Sequence, residues 1–321
     1  MCIRDRETRY AIIENEFGKQ GIDNELIVRP DETVVELNNG CLCCTLNENL
    51  YDILNELFQR RSDFDEIIIE ATGVADPTGL AEPFIMHPLI KEQFPLKAII
   101  CLVDAELVED QLEETTEALN QIAFSDILLI NKIDLVSSNY VAILEEKLKT
   151  LNPLASIVKG NKDQFPKIDF TRNNDKLDAE LKHAVKEGKH DAESMSFPVQ
   201  KIHSHKHNHT EEIGSHTFVF DTPFDYNQLQ LQLSIYLSFQ SKGLYRIKGL
   251  VWFENRDQQF ILQSVGKRFN FQENRLWKEN EKKRSVLVFI GKNLPKEGIE
   301  KLLRKCLSDN KLQVKTNSQF V

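Results

Sequence analysis

The sequence predicts an α/β protein: a mostly parallel sheet covered by helices, followed by a small α+β domain. In the first half, short apolar runs alternate with amphipathic stretches, as βαβ units require. Several of those runs end in polar residues, where the binding loops of such sheets begin. After a polar, irregular stretch, the second half spells strand, helix, three strands, helix, which fits an antiparallel layer with helices on one face. A chain of 321 residues, 41% of them hydrophobic, has room for two cores of this kind.

Tyr10–Ile13, Glu66–Ile69, Ala98–Val103 and Asp126–Ile130 read as buried strands, and Ala155–Val158 as a last one. Asn47–Arg61 and Tyr140–Leu151 carry helical spacing. From Asn161 to about Gly214 the composition turns polar and histidine-bearing, a linker beside a charged helix. Strands are then expected at Thr217–Phe220, Leu250–Phe253, Gln259–Leu262 and Ser285–Ile290, with helices at Tyr226–Ser241 and Pro295–Leu307. The domain boundaries that follow are 1–190, a His-rich linker 191–213, and 214–321.

The net charge of −10 is spread along the chain, which argues against nucleic acid or an anionic membrane as the main partner. No long uncharged apolar stretch and no signal-peptide core behind Arg4, Asp5 and Arg6 are present, so a cytoplasmic location is expected. Of six cysteines, three crowd into Gly40-Cys41-Leu42-Cys43-Cys44; too close to pair with one another, they read as metal ligands or reactive thiols.

Asn131-Lys132-Ile133-Asp134 follows directly on a strand, where a base-reading loop must lie. A carboxylate at Asp134 can accept from the ring N–H and the exocyclic amine of guanine, a donor pair adenine lacks. Lys132 can pack along the base and Asn131 can tie neighbouring loops together; the alternative is a solvated turn. Glu70-Ala71-Thr72-Gly73 also ends a strand: Glu70 is suited to Mg²⁺ or its water shell, and the Gly73 N–H to a γ-phosphate. The alternative there is an ordinary strand-to-helix turn. Glu14-Asn15-Glu16-Phe17-Gly18 reads as a first switch, or else as a solvated acidic loop.

Thiolates select Zn²⁺, Cu(I) or similarly soft ions. Three cysteines leave a fourth position open, or filled by a carboxylate such as Glu14, which suits a site that gives its metal away. The alternative is a set of buried structural cysteines. His203, His205, His207 and His209 alternate with other residues, so an extended backbone would put four imidazoles on one face as a metal-collecting strip; otherwise the segment is a soluble spacer.

Taken in order, Glu14–Gly18, Gly40–Cys44, Glu70–Pro77 and Asn131–Asp134, with Arg246–Phe253 and Val288–Gly291 in the second half, resemble the CobW family of P-loop GTPases. The resemblance spans nearly the whole chain. It implies GTP hydrolysis, with Mg²⁺, coupled to delivery of Zn²⁺, or of Co²⁺ or Fe²⁺, to a metal-requiring client protein. It also implies that Cys41, Cys43 and Cys44 hold the metal near the switches, with Glu14 beside it. A homodimer is an open expectation. Two departures stand out. The family's first strand, Gly-x-x-Gly-x-Gly-Lys-Thr loop and first helix are missing from Met1–Arg9, so a truncated nucleotide domain is expected. Lys19 replaces an acidic residue of some members, which weakens any auxiliary carboxylate site there. A genuine lack of the phosphate loop would instead make the chain a non-enzymatic metal buffer.

Overall fold

The computed structural model describes residues 8–14, 42–71, 73, 75–161, 164–166 and 213–308. These fall into two compact units, one within Met1–Leu96 and Asp110–Gln121, the other within Lys97–Glu109 and Ile122–Val321.

In the first unit, β1 (Tyr10–Glu14) and β2 (Glu66–Glu70) pair in parallel, in register from Tyr10 with Glu66 to Glu14 with Glu70. Helix α1 (Leu42–Gln59) places Leu50, Ile53, Leu54 and Leu57 on one stripe, as helical periodicity demands. That stripe shares a core with Ala11 and Ile13 of β1 and with Phe64, Phe84, Ile90 and Phe94. Arg9 secures the sheet's opposite end, donating to Asp65 at 3.0 Å and to the Ser62 carbonyl at 2.9 Å. Helices α2 (Pro77–Met86) and α3 (Pro88–Gln93) each start with proline at the first position, where its missing N–H costs nothing. Helix α4 (Val108–Glu114) and helix α5 (Thr116–Phe124) follow later in the chain.

In the second unit, β3 (Ile100–Asp104), β4 (Ile127–Asn131) and β5 (Ser156–Lys159) form a parallel sheet in that order, with α6 (Ser138–Leu151) between β4 and β5. Every pairing among β1–β5 is parallel, as the alternating pattern predicts. The C-terminal half is a five-stranded antiparallel sheet, β6 (Ile213–Phe220), β7 (Leu244–Val251), β8 (Gln258–Val265), β9 (Arg268–Leu276) and β10 (Ser285–Lys292), ordered β6-β10-β7-β8-β9. Helices α7 (Tyr226–Phe239) and α8 (Lys296–Lys305) complete it.

Both faces of β10 are buried, with strict alternation. Leu287 and Phe289 join Leu229, Leu233 and Ile299 of α7 and α8. Val286, Val288 and Ile290 join Ala123 and Leu154 from the first half of the chain. That two-sided burial is why the run reads as continuously apolar. On β7 the same second face carries Arg246, Lys248 and Leu250, so two cations are buried. Asp126 answers both, at 3.2 Å from Arg246 and 3.0 Å from Lys248. Arg246 also donates to the Phe124 carbonyl and stacks over its ring at 4.7 Å. Gly249 has room for no side chain, because a Cβ there would stand 2.3 Å from the Val286 carbonyl oxygen.

Several elements differ from the sequence reading. Helix α1 begins at Leu42, so Cys43 and Cys44 lie in its first turn, ahead of the expected start at Asn47. The periodicity at the N-terminal end is diluted by Thr45, Asn47 and Asn49. Helices α2 to α5 were not read as separate elements. Strand β9 was also missed, because it is only half-buried: Phe269 and Phe271 pack on the core while Arg268, Gln272, Glu273 and Leu276 are exposed. Its entry is a two-residue turn, Gly266-Lys267, in which Gly266 takes φ +55°, the left-handed region glycine adopts without strain.

Candidate nucleotide and metal sites

In the second unit, Asn131 ends β4 and is the register partner of Asp104 at the end of β3. The Ala105 N–H donates to the Asn131 carbonyl at 3.1 Å, so the two strand ends are tied. Lys132 takes φ +59°, and its Nζ lies 2.6 Å from Asp104 Oδ2. Asp104 Oδ1 in turn accepts from the Glu106 N–H at 3.0 Å. Burial alone would raise the Asp104 pKa, but the hydrogen bond and charge of Lys132, with the Glu106 N–H, hold it below the usual carboxylate range. Lys132 is raised by the same partner.

Asp134 is exposed in the turn that follows, closed by the Leu135 N–H donating to the Lys132 carbonyl at 3.0 Å. Ser137 then caps α6. The Asn131 Oδ1 is buried without a hydrogen-bond partner, an acceptor that costs free energy until something donates to it. Just past the end of β5, the Gly160 N–H donates to the Ile130 carbonyl at 2.9 Å, and a Cβ there would stand 2.7 Å from the Phe165 ring. This corner was unread in the sequence, as was Asp104.

In the first unit, Glu70 is exposed at the carboxyl end of β2, register partner of Glu14. Gly73 is exposed beyond it, and Asp76 caps α2 by accepting from the Thr78 N–H at 2.9 Å. Gln121 of α5 donates through Nε2 to the carbonyls of Gly73 at 2.9 Å and Ala75 at 3.1 Å. Nothing in the local sequence flags Gln121, whose partners lie 48 and 46 residues away.

Of the thiols, Cys43 and Cys44 occupy the first turn of α1. Cys41, Glu16, His203, His205, His207 and His209 lie outside the described residues. Burial pushes the Cys101 thiol up to about 11 and that of Cys306 up to about 12, so neither offers a thiolate at neutral pH. Among the described residues, no group of His, Cys, Asp and Glu converges as a metal site. Nor, among them, is any helix long and apolar enough to cross a membrane.

A parallel α/β half with an Asn-Lys-x-Asp loop at a strand's carboxyl end, joined to an antiparallel α+β half, is the architecture of a P-loop NTPase-type nucleotide-binding protein with an appended domain. Comparison with known proteins narrows the class. Residues 1–159 match the CobW/HypB/UreG nucleotide-binding domain, and residues 213–307 match the cobalamin synthesis protein cobW C-terminal domain. The chain belongs to the CobW family. Zinc chaperone YjiA of Escherichia coli is 29% identical over 91% of this chain and 87% of its own length. Zinc chaperone CobW of Pseudomonas aeruginosa is 28% identical over 94% and 84%. Zinc-regulated GTPase metalloprotein activator 1 of Schizosaccharomyces pombe is 29% identical over 65% of this chain and 54% of its own. The fold matches the crystal structure of the Zn(II)-bound YjiA GTPase from E. coli with a TM-score of 0.64, at 23% identity, covering 95% of this chain and 92% of that one.

Proposed function

We propose that this protein is a GTPase that couples binding and hydrolysis of GTP to delivery of a metal ion, zinc first, to client proteins. What supports this most is the guanine-reading loop: Asp134 stands exposed just past the end of β4, with Lys132 held by Asp104. Asp134 accepts from the ring N–H and exocyclic amine of guanine; Lys132 lies along the base, and Asn131 ties the adjoining strand end. Glu16 and the Glu14–Gly18 segment form the first switch, and Gly73 senses the γ-phosphate through its N–H.

Glu70 is an exposed carboxylate at a strand end, a hard oxygen donor of the type Mg²⁺ takes directly or through water. When bound, Mg²⁺ neutralises charge on the phosphate oxygens. The cargo is held by the thiolates of Cys41, Cys43 and Cys44 with Glu14 beside them, and His203, His205, His207 and His209 collect it. GTP orders both switches and closes the metal site; hydrolysis relaxes them toward release. The zinc-chaperone names of the relatives support zinc over cobalt or iron.

Calorimetric titration of the chain with GTP and Mg²⁺, with and without one equivalent of Zn²⁺, tests this. Coupling predicts that zinc shifts GTP affinity by roughly 5- to 150-fold, and GTP shifts zinc affinity by the same factor. Equal affinities would end the coupling, and absence of GTP binding would end the enzymatic reading for this chain. Cys43→Ser and Cys44→Ser are expected to lose zinc while retaining guanine binding.

A further inference from the structure

Strand β2 ends at Glu70, and α2 begins after its cap at Asp76. Between these fixed ends stands Gly73, the position with the widest backbone freedom, with open space where a side chain would be. The two protons of one amide, Gln121 Nε2, go to the Gly73 and Ala75 carbonyls at 2.9 and 3.1 Å. Gln121 belongs to α5, anchored nearby by the buried Leu119. In a trans peptide the C=O and the following N–H point opposite ways. A carbonyl of Ala75 fixed on Gln121 therefore turns the Asp76 N–H away from α5, and the bond at Gly73 fixes the torsion that a glycine would otherwise leave loose.

We infer that Gln121 is a positioning residue, a side-chain latch that holds the phosphate-sensing turn in one conformation before nucleotide arrives. This rests on the GTPase reading above and adds the regulation of its switch. Because only a γ-phosphate reaches Gly73, the latch acts on discrimination between GTP and GDP and leaves the affinity for GDP alone. The device depends on donation. Glutamate at this position has nearly the same shape but presents only acceptors to two carbonyls, and methionine presents no donor. Lysine, longer and charged, restores donors for both carbonyls.

The test has two arms on the full chain. In the first, without nucleotide, hydrogen exchange of the amides between Ala71 and Thr78 is followed in Gln121→Glu, Gln121→Met and Gln121→Lys. Exchange about tenfold faster in the first two, the factor corresponding to a net loss of about 1.4 kcal/mol for the two hydrogen bonds together, and near wild type in the lysine variant, is expected. Unchanged exchange in the glutamate and methionine variants overturns the latch. So does faster exchange in all three, which would make the role one of packing. In the second arm, Gln121→Met is expected to lower the ratio of GTP to GDP affinity about tenfold with GDP affinity unchanged. Equal loss for both nucleotides overturns the positioning role. If the wild-type chain binds neither nucleotide, the GTPase reading falls together with the phosphate-directed half of this inference, while the exchange arm still decides the latch.

Discussion

Lys132 Nζ lies 2.6 Å from Asp104 Oδ2, so the lysine of the Asn131–Asp134 loop is held by the carboxylate that ends the neighbouring strand. Within Asn131–Asp134, Lys132 alone takes positive φ. The pair is part-exposed and solvent screening keeps its contribution small. Asp104→Asn is therefore expected to weaken GTP binding by no more than about fivefold, keeping GTP preferred over ATP. Asp134→Asn, which replaces one of the two acceptor oxygens with an NH2 donor facing the donors of guanine, is expected to abolish that preference. Competition of the two nucleotides against a fluorescent guanine analogue distinguishes the variants; loss of preference in the Asp104 variant would show that Asp104 reads the base.

The buried Asp126 between Arg246 and Lys248 makes a second prediction. Removing the carboxylate by Asp126→Leu leaves two cations in the interior facing an apolar side chain, at a cost of about 3–5 kcal/mol. Replacing all three by apolar residues of similar volume regains most of that loss. Urea unfolding of the single and triple variants measures both; a single variant within about 0.5 kcal/mol of wild type would contradict it.

Strand β3 exposes Leu102 at 64% and Ile100 at 43%, although strands of parallel sheets are ordinarily buried on both faces. Such a strand promotes self-association. Leu102→Lys is expected to lower light scattering of concentrated protein while changing stability by less than about 0.5 kcal/mol. Unaltered scattering would clear this face of responsibility.

Asp65 supplies a pH prediction. The hydrogen bonds from the Arg9 side chain and backbone lower its carboxyl pKa from 3.8 to about 2. Since the folded value is the depressed one, the support it gives the start of β1 and β2 is complete above 3.8 and is lost as the pH falls through about 2. Carboxyl NMR titration should find the Asp65 midpoint near 2, returning to the ordinary carboxylate range in Arg9→Ala.

The strand ends that carry the candidate residues were legible because apolar runs and short motifs are local. Ile127–Asn131 is a continuous apolar run closing on Asn-Lys-x-Asp, and Glu66–Glu70 does the same with Glu70. The Cys-x-Cys-Cys spacing was equally plain, but the helix that carries Cys43 and Cys44 in its first turn was expected to begin only at Asn47. Strand β9 escaped notice because one-sided burial leaves only two phenylalanines to mark it.

The sequence by itself determined the type and order of the main elements and the chemical groups carried to the strand ends, because backbone periodicity and turn chemistry act over a few residues. The tertiary structure alone decided that Asp104 would hold Lys132, that Gln121 would hold Gly73 and Ala75, and that Asp126 would answer Arg246 from 120 residues away. Each of those partners is chosen by which segments the packed core brings into hydrogen-bond range, and a polar side chain shows no trace of its distant partner until burial obliges it to have one.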